Sequence, residues 1–392
     1  MTIGIKYVSL GYATGYAHAA LAYIRALHNS GVPVWPLFVG KRDEQGNLPL
    51  GRVIADDSSF ADVPALMREL ARPIAYDTVV AHMVPDLWRQ VHESGKRLVG
   101  YTVWETDALP EHWPDILNRA ERILVPCRAN AELFARCGVT RPVHVVPHIR
   151  RSGWSPSARE EGAALRQRLG VPADHFVFYS IALWDPRKAV AELIEIFART
   201  FSIDDRVTLL VKTSDRLKHA TAAGEPRPRT QKLAARIIDE AERETSRRPA
   251  NIVLIDANEV SGGEINAIHA AGDAYVSLTH GEGWGLGAFD AATLGKPVII
   301  TGWGGQLDYL GSNYPGLVRY EMAPVAGWYP LPGYRPTQRW ATADRGHATE
   351  LMRAVVAGGS MFTDAAESVR KEIDARYSEP VVMRQFMDAI DG

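Results

Sequence analysis

The chain has 392 residues, of which 46% are apolar and 23% charged, and its formal net charge at pH 7 is −2. This length suits two domains of ordinary size, and the composition is globular, without the signature of disorder. The near-neutral charge gives no global attraction to nucleic acid, and no run of apolar residues is long enough to span a membrane. The N-terminal residues lack the pattern of a signal peptide, so we expect a cytoplasmic protein.

The first half alternates short strand-like runs with helical patterns, which predicts an α/β domain over residues 1–150. It opens with the strand IGIKYVSL, a glycine-punctuated loop and the amphipathic helix AHAALAYIRALHNSG. A later helix ends in ELFARCG, where the glycine is a C-cap signal. Further strands are predicted at VPVWPLFV, DTVVAHM, RLVGYTVW, RILVP and VHVVP.

The pattern is interrupted after Pro147. The segment HIRRSGWSPSARE has glycine, serine, proline and charges without an apolar period, so residues 148–158 are predicted to link two domains. Residues 158–370 then alternate again and predict a second α/β domain, and residues 371–392 predict a C-terminal helix that packs back on the first domain. The strands and helices of the second domain are expected at FVFYSIALW, AVAELIEIFART, VTLLVKTS, QKLAARIIDEAERE, NIVLIDA, EINAIHAAG, DAYVSL, FDAATLG and KPVIITG.

The order of the elements and the composition of residues 313–342 lead to two further predictions. Strand, helix and strand in repetition predict parallel sheets in both halves. The segment 313–342 is rich in proline, glycine and aromatic residues, and we expect an irregular excursion there. The sequence assigns it no role.

The stretch GEGWGLGAFDAATLGKPVII, residues 281–300, carries the strongest chemical signal. It follows the predicted buried strand DAYVSL, and ligands of open α/β sheets bind at the carboxyl ends of strands. The glycines and the following helix start favour an anion such as a phosphate. A carboxylate at Glu282 would repel a phosphate unless it binds a neutral, hydroxyl-rich group attached to it, and Asp290 suits another hydroxyl pair such as a ribose. The pattern therefore favours a ligand that combines sugar, diphosphate and nucleoside.

This stretch resembles the donor-binding motif of the retaining GT-B glycosyltransferases, whose pattern is E-x7-E within EGFGL…EA…G.PVI. The resemblance implies that Glu282 contacts the donor sugar and that Asp290 binds the ribose. Asp290 stands where the family has glutamate, and its shorter side chain implies a longer or water-bridged ribose contact. The loop residues that would hold the sugar and diphosphate are Gly283, Trp284, Gly285 and Leu286.

The resemblance extends to FVFYSIALWDPRKAVAELIEIF, which is similar to the family's segment with a basic pair for the diphosphate. Lys188 matches the family's lysine, whereas the family's arginine position holds Leu183. Arg187 is the candidate substitute, and a solvated surface arginine is the alternative. Lys212 and Thr213, at the end of VTLLVKTS, are further donor-side candidates, with a structural or solvated lysine as the alternative. The segment DANEVSGGEINAIHAAGDAYV resembles the one that passes the nucleotide base.

In the first half, SLGYATGYAHAA is similar to the family's glycine-rich loop over the diphosphate and the acceptor, which gives Gly11, Gly15 and Tyr16 as candidates. Many family members carry a histidine near the reacting sugar, at the position of YTVWETDALPEHW. The family's histidine position within this stretch holds another residue here, and Glu105 is the candidate substitute, with a surface carboxylate as the alternative. His82, at another strand end, is also a candidate, and a packed histidine is the alternative.

The resemblance implies two Rossmann-like domains with parallel sheets facing across a cleft, and a retaining transfer from a nucleotide diphosphate sugar to a hydroxyl acceptor. Glu282, Lys188 and Glu105 are the candidate catalytic residues. We expect no metal, because no ligand spacing is present, and no cofactor besides the co-substrate. Alternatives are an epimerase, a phosphorylase or a non-catalytic sugar-nucleotide binder; the binder is favoured by the departures at Asp290, Leu183 and the missing histidine.

The acceptor is expected to be a carbohydrate, a lipid-linked molecule or another hydroxyl compound, and the sequence does not decide between them. Between Pro114 and Gly170 there are ten arginines against five acids. A solvated basic face is the simpler interpretation. The alternative is peripheral contact with the inner face of an anionic membrane that carries the acceptor.

Overall fold

The structure is a computed structural model that describes residues 4–11, 14–40, 49–51, 63–151, 158–213, 230–256, 262–326 and 333–392. Contacts divide the chain into two compact units. Unit 1 comprises Met1–Trp104, Ala108–Arg151 and Asp374–Gly392, and unit 2 comprises Glu105–Asp107 and Ser152–Ile373. The predicted linker lies partly outside the described residues, at 152–157. The expected domain roles, acceptor side and donor side, stay predictions.

Unit 1 is built on a seven-stranded sheet with the strand order β3-β2-β1-β4-β5-β6-β7. All seven residues of the strand at Gly4–Leu10 are buried, because strands pair with it on both sides and helices cover the sheet. A short 3-10 helix, Pro85–Gln90, precedes the fifth strand. The elements in chain order are β1 (Gly4–Leu10), α1 (Gly15–Asn29), β2 (Val34–Val39), β3 (Leu50–Gly51), α2 (Val63–Glu69), β4 (Tyr76–His82), β5 (Arg97–Tyr101), α3 (Trp113–Leu117), β6 (Arg122–Val125), α4 (Arg128–Arg136) and β7 (Val143–Val145).

The sheet of unit 1 departs from the expected parallel arrangement at one edge. There β3 pairs antiparallel with β2, with Phe38 opposite Gly51. A parallel pair needs a crossover connection of a dozen or more residues, and the connection between these two strands is shorter. The short connection therefore favours an antiparallel pair. The other strand pairs of this sheet are parallel, as predicted.

Unit 2 is built on a six-stranded parallel sheet with the order β10-β9-β8-β11-β12-β13. Its core includes Phe178, Phe197, Val211, Val276 and Ile299, which come from strands and from a covering helix. The elements in chain order are α5 (Ala158–Arg168), β8 (Phe176–Ile181), a 3-10 helix (Pro186–Lys188), α6 (Val190–Thr200), β9 (Val207–Thr213), α7 (Thr230–Thr245), β10 (Asn251–Asp256), α8 (Gly262–Ala271), β11 (Ala274–Ser277), α9 (Leu286–Thr293), β12 (Val298–Thr301), α10 (Leu307–Leu310) and β13 (Leu317–Val318).

The segment 313–342 is more regular than we expected. After β13 it forms an antiparallel pair, β14 (Tyr320–Pro324) and β15 (Arg339–Ala343), with Ala323 opposite Trp340. Residues 327–332 lie outside the description. Apolar and polar residues alternate only weakly along the two strands, and β14 ends in proline. The sequence therefore gives little indication of strands here.

Three helices complete the chain: α11 (Arg345–Val356), α12 (Ser360–Arg376) and α13 (Glu379–Asp391). The last belongs to unit 1, where Phe386 packs its ring 5.2 Å from that of Tyr23 and 6.4 Å from that of Tyr7. In the described part of the chain, no helix combines the length and apolar character needed to cross a bilayer.

Candidate functional site

Neighbouring strands of the unit 2 sheet end at one edge, and the predicted donor-side residues follow these strands. In the parallel sheet β9, β8, β11 and β12 lie side by side, so their carboxyl ends meet where ligands of such folds bind. The connection after β8 carries Arg187 and Lys188, and the one after β11 carries the glycine-rich loop with Glu282. The connection after β12 is a second glycine-rich loop, residues 302–306.

Glu282 forms the centre of a buried ion-pair cluster. Its two carboxylate oxygens accept hydrogen bonds from Lys188 Nζ at 2.6 and 2.7 Å, and its side chain is 11% exposed. Burial alone would raise the pKa of this carboxyl. The charges of Lys188 and Arg187 outweigh that effect and hold the pKa below its usual value. Glu282 is therefore an anion at neutral pH, and the sequence-predicted acid and lysine are brought together.

Arg187 lies inside this cluster, with a side chain that is 13% exposed. Its Nη1 donates to the Gly281 carbonyl at 2.5 Å and lies 3.7 Å from Glu282 Oε2. The backbone is fixed as well: Asp185 accepts a bond from the Arg187 N–H, and the Arg187 carbonyl accepts one from the His280 N–H at 2.7 Å. Arg187 is therefore largely buried, and the alternative of a solvated surface arginine does not apply to it.

Glu105 lies on the other side of Arg187. One carboxylate oxygen is 3.5 Å from Arg187 Nη2, and the other accepts a hydrogen bond from the Tyr334 hydroxyl at 2.8 Å. The backbone beside Glu105 is tied to β15, because Asp107 and Arg339 exchange two hydrogen bonds. Glu105 is thus a partly buried member of the cluster. Tyr334 was missed in the sequence because it lies in the segment 313–342, which shows no motif.

The glycines of the loop permit very close backbone approach. A Cβ at Gly281 would lie 2.3 Å from the Glu105 carbonyl oxygen, and one at Gly305 would lie 2.1 Å from the Gly283 carbonyl oxygen. The Gly305 N–H in turn donates to the Glu282 carbonyl at 2.8 Å. The second loop, GWGGQ at residues 302–306, therefore supports the first. Gly304 and Gly305, which follow the predicted strand KPVIITG, could have indicated this loop, but they were not among the predicted site residues.

Trp284 anchors the loop in the core. Its side chain is 3% exposed, and its ring centroid lies 5.1 Å from those of both Phe289 and Tyr309. Any contact of Trp284 with a ligand would therefore use its backbone. Gly285 has a φ of +85°, which turns the chain into α9, and Leu286 is the first residue of that helix. No side-chain cap from the described residues satisfies the first turn, which leaves amides suited to an anion.

Asp290 lies on the buried face of α9 and is 6% exposed. Its Oδ2 is 3.8 Å from Nε2 of His269 on α8, and Nδ1 of His269 lies 2.8 Å from the Tyr179 hydroxyl. The sequence interpretation missed His269, which lies in the segment expected to pass the nucleotide base. Residues 257–261 of that segment are outside the description. The ribose role of Asp290 stays a prediction.

Lys212 and Thr213 end β9, directly beside β8. Lys212 is opposite Ile181, and its carbonyl accepts a hydrogen bond from the Ala182 N–H at 3.0 Å. Thr213 is 2% exposed, and its hydroxyl has no hydrogen-bond partner among the described residues. Their donor-side roles stay predictions.

In unit 1, the predicted loop residues follow β1. The Gly11 N–H donates to the Val39 carbonyl at 2.8 Å, and Gly15 begins α1. Thr14 caps this helix by accepting from the Ala17 N–H at 3.2 Å. The Tyr16 hydroxyl lies 2.9 Å from that of Thr102. The expected diphosphate and acceptor contacts of Gly11, Gly15 and Tyr16 stay predictions.

His82 is a core residue of unit 1 with 1% exposure. Its Nδ1 is 2.8 Å from the Tyr7 hydroxyl, and its ring stacks on that of Tyr101 at 4.0 Å. Burial, with a smaller effect of nearby His148, lowers its pKa well below the usual value. The packed-histidine alternative describes these contacts, and a ligand role stays a prediction.

No protein-family model and no curated protein matches the chain. Solved structures match its fold over nearly its full length. Sucrose-phosphate synthase from Thermosynechococcus elongatus has a TM-score of 0.64 at 12% identity, with 98% of both chains covered. Trehalose-6-phosphate synthase OtsA has a TM-score of 0.61 at 12% identity, with 99% of both chains covered.

A third similar structure is Anabaena HepE in complex with UDP, with a TM-score of 0.59 at 16% identity and 99% of both chains covered. These structures are GT-B glycosyltransferases. Together with the seven- and six-stranded sheets they confirm the predicted GT-B fold class. At these identities the similarity concerns the fold.

Proposed function

We propose that this chain is a glycosyltransferase that moves a sugar from a nucleotide diphosphate sugar to a hydroxyl acceptor, with retention of configuration and without a metal. The observation that carries the proposal is the cluster of Glu282, Lys188 and Arg187 at the carboxyl edge of the unit 2 sheet. Two cations and an ionised acid there suit a ligand with an anionic diphosphate and a hydroxyl-rich sugar. The GT-B fold supports the same class of ligand.

In this proposal the protein stabilises charge that develops during transfer. Departure of the nucleoside diphosphate leaves negative charge on its phosphate oxygen, and Lys188, Arg187 and the amides at the start of α9 stabilise it. Each such donor contributes about 2–4 kcal/mol in comparable sites. The acceptor hydroxyl attacks from the face of the leaving group, and its proton passes to the departing phosphate oxygen.

Glu282 would orient the donor sugar by accepting hydrogen bonds from its hydroxyl groups. Its depressed pKa supports this role, because an ionised carboxylate is a strong acceptor at neutral pH. Asp290, Lys212 and Thr213 would complete the nucleotide side. Gly11, Gly15 and Tyr16 of unit 1 would contact the diphosphate or the acceptor.

Glu105 would act through Arg187. Both of its carboxylate oxygens already have partners, Arg187 on one side and Tyr334 on the other. These contacts suit a positioning residue that fixes the guanidinium of Arg187 for the diphosphate. Arg187 would then substitute for the arginine that is absent at Leu183.

The first experiment identifies the donor. Purified protein is incubated with a panel of nucleotide sugars, and thermal shifts are recorded. UDP-glucose and UDP come first, because the similar HepE structure is a complex with UDP and the E. coli trehalose-6-phosphate structure is bound with UDP-2-fluoro glucose. We expect a stabilising shift for one nucleoside series that is lost in Lys188→Ala. No shift with any nucleotide sugar would contradict the proposal.

The second experiment separates the alternatives. Turnover of the identified donor is followed with candidate acceptors, and the product's anomeric configuration is determined by NMR. Retention of configuration in a new glycosidic bond supports the proposal. Orthophosphate-dependent donor use indicates a phosphorylase, an epimerised nucleotide sugar indicates an epimerase, and tight binding without turnover indicates a non-catalytic binder.

A further inference from the structure

A second charged site lies in unit 1, in a cavity of about 270 Å³. Its lining includes His92, Lys96, Arg97, Arg119, Glu121 and Arg141. These residues lie at or just before the amino ends of β5, β6 and β7, which are neighbours in a parallel sheet. The cavity is therefore at the edge opposite to the one where Gly11 follows β1. None of the residues in the proposed transfer site contributes to it.

The lining brings four positively charged side chains, one lysine and three arginines, together with one carboxylate, that of Glu121. Hydrogen bonds hold Arg97, Lys96 and Arg141 in place. Arg97 Nε donates to both oxygens of Glu121, at 3.0 and 3.2 Å. Lys96 Nζ donates to the Tyr76 carbonyl at 2.6 Å and lies 4.9 Å from the centre of the Tyr76 ring. These bonds fix the walls, so a bound anion would not have to order them.

Arg119 and Arg141 lie on two chain segments that the hydrogen bonds of Asn118 hold together. Arg141 Nε donates to the Asn118 carbonyl at 2.9 Å, while the Asn118 side chain accepts from the Thr140 N–H at 2.7 Å and donates to the Gly138 carbonyl at 3.1 Å. Arg119 follows Asn118 directly and is exposed. Its guanidinium has no ion-pair partner in the described part of the chain. The ion pairs of Glu121 among the described residues are with Arg97, at 3.0 Å, and with Arg122, at 3.9 Å, and not with Arg119 or Arg141.

We propose that this cavity binds the phosphate group of an anionic ligand. Unneutralised guanidinium groups are suited to phosphate because their planar donors bind its oxygens in pairs. The volume is several times the roughly 30 Å³ that one water molecule occupies, so it admits a phosphate with part of the group it esterifies. Arg119 and Arg141 supply the phosphate donors, and Arg97 and Lys96 shape the wall.

Two sources share this chemistry, a soluble phosphate compound and a phospholipid headgroup. Binding is measured by titration calorimetry with inorganic phosphate, and by co-sedimentation with vesicles of phosphatidylglycerol and phosphatidylcholine against phosphatidylcholine alone. The test variant is Arg119→Gln with Arg141→Gln. The matched control is Arg136→Gln, an exposed arginine of α4 that does not line the cavity.

We expect the double variant to weaken binding of at least one probe by tenfold or more, and the control to retain it. Loss of phosphate binding assigns a soluble ligand, and loss of vesicle binding alone assigns a lipid headgroup. If neither probe depends on Arg119 and Arg141, or if Arg136→Gln weakens binding equally, the proposal is wrong.

The proposed donor site is also suited to phosphate, so two further titrations separate the sites. Lys188→Ala should retain phosphate or vesicle binding, and the double arginine variant should bind UDP like the unchanged protein. Phosphate binding that disappears in Lys188→Ala would assign it to the donor site and overturn the proposal. Failure of UDP to bind would count against the proposed transferase function and leave the cavity result unaffected.

Discussion

At the scale of single residues, the ion pair between Glu282 and Lys188 has the clearest consequences. In the proposed function this carboxylate would bind the donor sugar, and it accepts hydrogen bonds from Lys188, the cation proposed to bind the diphosphate. Loss of its charge therefore acts in two directions. It removes an acceptor for sugar hydroxyls, and it removes an anion that competes with the diphosphate for Lys188.

We predict that Glu282→Gln lowers turnover about 10- to 100-fold, because a hydrogen bond to a charged group contributes about 1.5–3 kcal/mol. Affinity for the free nucleoside diphosphate should stay equal or rise. Asp290→Asn should instead weaken nucleotide affinity for every donor that shares the nucleoside. Calorimetry with the diphosphate and initial rates with the donor measure both effects, with the exposed Glu240→Gln as control. Equal loss of diphosphate affinity in the two variants would contradict the division of roles.

The second residue-scale prediction concerns Glu105 and Tyr334. If these residues position Arg187, then Glu105→Gln and Tyr334→Phe should each change diphosphate affinity several-fold when Arg187 is present. The same substitutions should have little effect on that affinity in an Arg187→Ala background. The measurement is a double-mutant cycle on the dissociation constant. A merely structural role would alter stability in both backgrounds alike, and additive effects on affinity would exclude positioning.

At the scale of elements, the site depends on two loops that contact each other through glycines. The loop at residues 302–306 donates its Gly305 N–H to the Glu282 carbonyl, and the loop at 281–285 leaves no space for side chains at the contact. Backbone atoms cannot move aside as a flexible side chain does. The carboxylate position is thus set by the packing of loops after β11 and β12.

We predict that Gly305→Ala destabilises the protein by about 2 kcal/mol or more and abolishes turnover, because the new Cβ would overlap the Gly283 carbonyl. Thermal unfolding and donor turnover are the measurements. The control is Gly51→Ala in β3, where an added Cβ meets no described atom within 4 Å. A Gly305→Ala protein with unchanged stability and turnover would show that the loops do not support each other.

The core of unit 1 yields a prediction about acid. Burial lowers the pKa of His148 to about 3 and that of His82 well below 6.5. Below about pH 6.5 these two histidines bind protons in the unfolded chain but not in the folded unit. Protonation therefore does not reduce the free energy of unfolding above about pH 6.5, and reduces it increasingly as the pH falls.

We expect the free energy of unfolding to fall between pH 6.5 and pH 5 with a slope that approaches about 1.4 kcal/mol per pH unit for each histidine. Urea unfolding at several pH values measures the slope. His148→Gln should reduce the slope, whereas His92→Gln, at an exposed position with no ion pair among the described residues, should leave it unchanged. Equal slopes in all three proteins would contradict the assignment to buried histidines.

At the scale of the whole molecule, the parallel strands of two α/β sheets supply the carboxyl edges on which the candidate residues lie. The proposed chemistry uses cations of the chain for the leaving group. In the described residues, no three histidine, cysteine, aspartate or glutamate side chains come together as a metal site.

Because Lys188 and Arg187 would stabilise the leaving group in the proposed function, we predict that turnover of the identified donor persists in EDTA at the rate measured without it. Initial rates with and without the chelator are the measurement, and added Mg²⁺ or Mn²⁺ is the control. Complete loss in EDTA that either ion reverses would assign the leaving-group charge to a metal and contradict the electrostatic scheme.

Most strands and helices could be predicted in order from local patterns, because buried parallel strands have continuous apolar runs and covering helices have a 3.6-residue period. The glycine-rich loop after a predicted strand also indicated Glu282, and the resemblance to the GT-B glycosyltransferases added Lys188. These signals are local, and each is contained within one short segment.

Which of the candidate residues come into contact depends on the packing of segments that are distant in the chain. Glu105 and Tyr334 are 229 positions apart, yet both belong to the cluster around Arg187. His82 is at a strand end, as a site residue would be, but its ring packs against tyrosines from β1, α1 and β5. Contacts of this kind depend on how strands are ordered and helices packed, and a local pattern carries no record of the partner across the sheet.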